Sequence, residues 1–186
     1  MNRTVMTNGV LAAALFSATA CSIDARSSKP IDDRGVPALV EQKFLCEQSH
    51  TNFAWGYQHS GTYVDHEARV YRYNAERQVA PKQEGAVTEA ELEAKYSQGR
   101  TLLRTVPPDD IARMRRLIVD ASKGSYSEKV QRGADAGARV SSCYLYDGNT
   151  KTYREIELDV RGDWNYRNVS PAARQLTEWL TAISKP

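Results

Sequence analysis

The sequence predicts an α+β domain, a mostly antiparallel sheet with two or three helices packed on one of its sides, and three observations lead there. Short runs rich in β-branched and aromatic residues, punctuated by Gly, Asn and Asp, fall in the first half and again in the last third of the chain. Two segments between those runs, and one after them, carry helix-start signals followed by apolar residues at spacings of three and four. The resulting order is strands, two helices, a hairpin, then a helix. Strands kept apart from helices favour an antiparallel sheet with helices laid on it over alternating βαβ units.

Each element has its own justification. Ala38 to Glu47 holds Leu39, Val40, Phe44, Leu45 and Cys46, and is read as a strand, although periodicity alone also fits a short helix. Asn52 to Tyr57 and Thr62 to Asn74 are rich in aromatic and β-branched residues, and Asp65-His66-Glu67-Ala68 divides the second segment into the arms of a hairpin. A polar stretch from Ala75 to Gly85 ends this part. Thr88 with Glu91 three positions later is a capping box, so a helix runs from Glu89 to about Gln98 and closes at Gly99. Pro107-Pro108-Asp109-Asp110 opens a second helix, with proline in the first turn and acids at the positive end of the dipole. Ile111, Met114, Leu117, Ile118 and Ala121 form its apolar stripe, and Gly124 stops it. Ser125 to Gly137 reads as a surface loop.

The clearest hairpin joins Arg139–Tyr146 to Lys151–Val160 through Asp147-Gly148-Asn149-Thr150. If Asp147 faces Thr150, then Tyr144 faces Tyr153 and Ser141 faces Ile156. One face then collects Cys143, Leu145, Ile156, Leu158 and Val160 as core. The other collects Val140, Tyr144, Tyr146, Tyr153, Glu155, Glu157 and Asp159. A last helix starts at Ser170 with Pro171 in its first position, and carries Leu176, Trp179, Leu180 and Ile183 on one stripe.

With 41% hydrophobic and 26% charged residues and a formal charge of +2, the composition is that of a globular domain and argues against nucleic acid as a main partner. The chain's beginning is different. Met1-Asn2-Arg3-Thr4 supplies a positive end, Val10 to Phe16 an apolar run too short to span a bilayer, and Ala18-Thr19-Ala20-Cys21 a small-residue junction. This layout resembles the signal of bacterial lipoproteins, with Ala18 where that family more often has Leu. The resemblance implies cleavage before Cys21, a diacylglycerol and an N-acyl chain on that cysteine, and, with Ser22 rather than Asp next to it, transfer to the inner leaflet of the outer membrane. Several acyl chains make a lasting anchor where one holds weakly. Ordinary cleavage after Ala20, leaving a soluble periplasmic protein, is the alternative. Residues 1–20 are then a signal peptide, 21–37 the lipidated cysteine with a polar, proline-containing tether, and 38–186 a single globular domain. With Cys21 committed to lipid, Cys46 and Cys143 remain. An even pair in an oxidising periplasm reads as a disulfide.

No high-specificity catalytic motif is present. His50, His59 and His66 stand near Asp65 and could form a polar or catalytic site, yet their spacing matches no His-Glu-x-x-His pair, and solvated loop histidines are the plainer reading. No metal or cofactor is expected. Tyr144, Tyr146 and Tyr153 beside Glu155 and Glu157 form a candidate binding surface for a basic partner, against a plain sheet face or one covered by a helix. Phe53, Trp55, Tyr57, Tyr63, Tyr71 and Tyr73 line either a ligand groove or a sheet core. Arg100, Arg104, Arg113, Arg115 and Arg116 are either a contact for anionic lipid or an acidic protein, or a solvated face. The expectation is a lipid-anchored, periplasm-facing protein that binds another envelope protein, as inhibitor and immunity lipoproteins do. An envelope hydrolase using His50, His59 and His66 and a structural assembly component are the alternatives.

Overall fold

Nine strands and three helices are formed by the residues that the computed structural model describes, 41–52, 54, 56–76 and 85–185. The expected leader and tether, Cys21, and Phe53 and Trp55 lie outside them. In chain order the elements are β1 (Phe44–Asn52), β2 (Gln58–Asp65), β3 (Arg69–Ala75), β4 (Val87–Thr88), α1 (Glu89–Tyr96), β5 (Thr101–Thr105), α2 (Pro108–Ala121), β6 (Val130–Gln131), β7 (Ala138–Asp147), β8 (Thr152–Gly162), β9 (Trp164–Arg167) and α3 (Pro171–Ile183). All strand pairings within the sheet are antiparallel. The strands lie in the order β5-β3-β2-β1-β7-β8-β9-β6, with β4 also on β8.

The antiparallel sheet and the three helices match expectation; their placement on one side does not. Helices α2 and α3 cover one face, where Ile111, Met114, Ile118, Leu176 and Leu180 meet Leu45, Val64, Val70, Ile156 and Leu158. Helix α1 lies on the other face, setting Leu92 and Tyr96 among Phe44, Tyr63, Tyr73, Tyr144, Tyr146 and Tyr153. We call these the aliphatic and the tyrosine face. Helix α1 escapes amphipathic reading because it buries little besides Leu92, Tyr96 and Glu91, but its capping box is present as expected, with Thr88 Oγ1 accepting from Glu91 N at 3.3 Å and Glu91 Oε2 from Thr88 N at 2.7 Å.

Cys46 and Cys143 are directly opposed across the central pair β1/β7 and form the expected disulfide. It joins points 97 residues apart, a loop that in the chain-entropy model restricts the unfolded state by about 4 to 5 kcal/mol.

The second hairpin pairs Asp147 with Thr152 and Tyr146 with Tyr153, two residues away from the expected register. The connection is a four-residue loop, Gly148 to Lys151, in which Asp147 Oδ1 accepts from Asn149 N at 2.9 Å and Lys151 takes a left-handed φ of 55°. A slip of two preserves the side-chain alternation, so Cys143, Leu145, Ile156 and Leu158 still face the aliphatic side. Val160 does not join them. A bulge at Ser141/Ser142 falls before it, and past the bulge Val160 is opposite Val140 and Tyr166, buried but outside both clusters.

The stretch 125–137 was expected to be a loop; it is pinned to the sheet's end. Ser127 N donates to Arg167 O at 2.8 Å, Arg132 N to Asp163 O at 2.8 Å, and Val130–Gln131 pairs with β9. Nearby, buried Asn168 ties two helices together. Its Nδ2 donates to Ala121 O at the end of α2 (2.8 Å), and its Oδ1 accepts from Ser170 N, the cap of α3 (3.0 Å). A Cβ on Gly124 would stand 2.2 Å from that Oδ1, so glycine is required there.

Candidate functional site

The three histidines do not converge. His50 lies on the aliphatic side of β1, opposite Ser60 of β2 and Arg139 of β7. His59 lies on the tyrosine side of β2, its ring 5.7 Å from that of Tyr73. His66 sits in the β2–β3 turn, where the Asp65 carboxylate, the supposed orienting acid, is taken by Glu67 N (2.9 Å), Arg69 N (3.0 Å) and Arg69 Nε (2.7 Å). Asp65 therefore builds the turn. Among the described residues no group of His, Cys, Asp and Glu is arranged to hold a metal ion.

Where an acid and a histidine do approach, the acid is one the sequence did not single out. Glu47 of β1 points into the tyrosine face and is 2% exposed. Lys95 of α1 donates to its Oε1 at 2.8 Å and Oε2 at 3.0 Å, Tyr73 Oη to Oε2 at 2.7 Å, and Tyr144 Oη to Oε1 at 3.2 Å. Tyr96 Oη is 3.0 Å from Tyr144 Oη, and since Tyr144 donates to Glu47, Tyr96 is the donor of that pair. Burial pushes the Glu47 carboxyl up, but the Lys95 ammonium, His59 and the Lys95 and Tyr73 hydrogen bonds together hold it below its ordinary range. Burial, followed by the charge of Glu47, drives Tyr73, Tyr96 and Tyr144 well above the usual phenol value, so they stay protonated and donating. Four hydrogen bonds from three donor groups, two of them from Lys95, fill the carboxylate's four lone-pair positions. A general base needs a free one, so this cluster is a saturated polar core. His59 borders it; burial and then Lys95 depress its pKa to about 4, against the opposing pull of Glu47, and the ring is neutral at pH 7.

The same packing decides the candidate tyrosine surface. Tyr144, Tyr146 and Tyr153 are 2%, 8% and 0% exposed, beneath and beside α1. Glu155 remains exposed, and Glu157 accepts from Tyr166 Oη at 2.8 Å. The pattern of hydroxyl-bearing aromatics looked like an outward face, but each phenol finds a partner or a ring inside. Tyr63 and Tyr73 of the first aromatic cluster are core as well, with Tyr57 and Tyr71 packed at its margin. The arginines do not form one patch. Arg100 stacks on Tyr71 and pairs with Glu93, Arg104 donates to Lys185 O at the end of α3, and Arg113, Arg115 and Arg116 lie on α2.

Two surface features among the described residues carry open aromatic or cationic groups. One is an aromatic ledge at the β9 end: Trp164 and Tyr126 are 41% and 48% exposed, and Lys129 Nζ lies about midway between the Trp164 and Tyr166 rings, 5.1 and 5.0 Å from their centroids. The other is a groove on the aliphatic side of the sheet, past the end of α3. Alternate residues of four strands form its floor in two cross-strand rows, Asn74-Ser60-His50-Arg139 and Arg72-Thr62-Gln48-Ser141. The tail of α3 forms its wall, fixed by Thr62 Oγ1 to Ser184 Oγ (2.5 Å) and Gln48 Nε2 to Thr181 Oγ1 (3.2 Å). The groove has a volume of about 570 Å³, and no acidic residue lines it among the described residues. The sequence showed the arginines of α2 and missed Arg72, Arg139 and Lys185, which are far apart in the chain and meet through strand pairing alone.

Comparison with known proteins adds no relative: no family model, no curated protein and no solved structure matches this chain.

Proposed function

We propose that this chain is a lipid-anchored, periplasm-facing binding protein of a bacterial envelope, held through Cys21 at the inner leaflet of the outer membrane, which caps another envelope protein in the manner of inhibitor or immunity lipoproteins. The observation that carries the reading is the contrast between buried and open polar groups. The Glu47 carboxylate and its tyrosines saturate one another, while the Trp164 ledge and the cationic groove face outward. Surfaces of that kind, aromatic and arginine-bearing, are where binding energy concentrates in protein interfaces. The Cys46–Cys143 disulfide supports an oxidising compartment, in line with the leader that ends at Cys21. Convergence of His50, His59 and His66 was the basis of the hydrolase alternative, and they lie on two faces and a turn.

The test has two arms. Cys21→Ala should release the protein from the membrane fraction, and a form that stays there removes the anchor from the reading. Envelope extracts passed over the immobilised mature domain should leave one partner whose activity falls on binding; a domain that retains none overturns the capping role.

A further inference from the structure

We infer that the groove beyond α3 is the partner-binding site, and that it takes an extended acidic segment of the partner through carboxylates held by Arg72 and Arg139. The inference rests on the binding-protein reading and names the chemistry of the partner. Its first support is the two-row floor. Arg72 and Arg139 stand on β3 and β7, at opposite ends of the four strands, and His50, Ser60 and Thr62 lie between them. Lys185 adds a third lasting cation from the wall. Its second support is charge. The ion pairs that occupy cations elsewhere, Lys43–Glu89, Arg69–Asp65, Lys95–Glu47, Arg100–Glu93 and Arg161–Asp159, do not reach it, and Arg72, Arg139 and Lys185 form none among the described residues. A protein of formal charge +2 thus gathers three cations and a histidine where no carboxylate of the described residues answers them.

Geometry also sets the ligand's spacing. Neighbouring strands are ~4.8 Å apart and residues along a strand rise ~3.4 Å each, so Arg72 and Arg139, three strands and one row apart, are separated by about 16 Å. An extended chain covers about 14 Å in four residues, and the long arginine side chains span the rest. Guanidinium forks take carboxylates two bonds at a time, and the floor between them offers hydroxyl and amide groups to the intervening backbone. A segment with carboxylates at positions i and i+4 fits both ends at once.

The probe is a short acetylated serine peptide carrying two glutamates four residues apart, titrated into the ¹⁵N-labelled mature domain beside its glutamine counterpart and inorganic phosphate. Expected are shifts of the Ser60, Thr62, Arg139 and Ser184 amides with the glutamate peptide, at least tenfold weaker binding of the glutamine peptide, and the same loss in the exposed-residue variant R72Q/R139Q at an unchanged thermal midpoint. Equal binding of the glutamine peptide, shifts confined to the Trp164 ledge, or phosphate binding as tight as the peptide overturns the assignment. The envelope capture above, repeated with R72Q/R139Q, separates the two readings. A partner lost by the variant supports the groove; one held equally by both forms overturns the groove and leaves the binding reading standing. A partner held by neither form overturns both.

Discussion

The two faces of the sheet bury similar elements by different chemistry. The aliphatic face is dry: Leu45, Val64, Val70, Ile156 and Leu158 meet the stripes of α2 and α3, and the disulfide lies among them. The tyrosine face buries a charge, and around Glu47 it needs a lysine from α1 and hydroxyls from Tyr73, Tyr144 and Tyr96 in fixed positions. Non-directional burial tolerates small shifts, whereas a buried ion is tolerable only while every partner is in place. The first face should therefore respond to volume and the second to protons and partners.

Breaking the disulfide tests the dry face most severely. Cys46→Ala with Cys143→Ala should lower unfolding free energy by about 4 to 5 kcal/mol in a denaturant titration, and wild type should lose as much on reduction. Lys95→Met is the corresponding cut on the other face. Leaving Glu47 buried without its cation should cost about 3 to 5 kcal/mol at pH 7, and adding Glu47→Gln should restore most of that loss. Here the faces part. The wild-type Glu47 pKa is lowered on folding, so its stabilising contribution is present above the unfolded carboxylate range and is lost as pH falls through the folded value. In Lys95→Met burial pushes the carboxyl up instead, and the deficit should shrink as pH falls. Met114→Ala, on the dry face, should cost about 2 to 5 kcal/mol at every pH; a Met114 deficit that followed pH would break the distinction.

His59 sharpens the same contrast. Its folded pKa of about 4 lies below the unfolded value, so the unfolded chain takes up the proton first as pH falls, and stability drains between pH ~6.5 and 4. The loss is about 1 to 3 kcal/mol once the partly solvated ring is allowed for. His59→Asn should flatten that part of the stability–pH curve without moving its value at pH 8 by a similar amount. The smallest effect belongs to the exposed Lys43–Glu89 pair: Lys43→Ser should change stability by less than about 1 kcal/mol.

How much of this was legible follows the same division. The stripe Ile111, Met114, Ile118 and Ala121, the caps at Thr88 and Ser170, and the core side of Cys143 and Ile156 could be read because spacing and capping report one buried side. Tyr144, Tyr146 and Tyr153 could not, because a tyrosine is core or surface according to where its hydroxyl finds a partner, and that partner came from another strand. Glu47 did leave a trace, as a lone acid after Phe44, Leu45 and Cys46 in a strand, which calls for a cation somewhere. Nothing local named Lys95. The edge strands were invisible for a plainer reason: β4 and β6 are two residues long, and β5 is exposed or half-exposed throughout, with no alternation to detect. The groove carried the weakest trace, since Arg72 and Arg139 become neighbours of one site only through the register of β1 with β2 and β7.

The position of β1 has a kinetic meaning. The strand nearest the start of the described fold is a middle strand, with β2 and β3 on one side and β7 and β8 on the other. Each side is a meander that can assemble from its own contiguous stretch, but the seam between β1 and β7 must wait until the distant stretch has been made and brought back. Closing so long a loop before its contacts are gained is the slow kind of step. Glu47 to Tyr144, Gln48 to Ser141 and the disulfide all cross that seam. Oxidation of Cys46 and Cys143 is thus a clock built into the chain: the time at which the thiols disappear marks the moment at which two half-sheets become one.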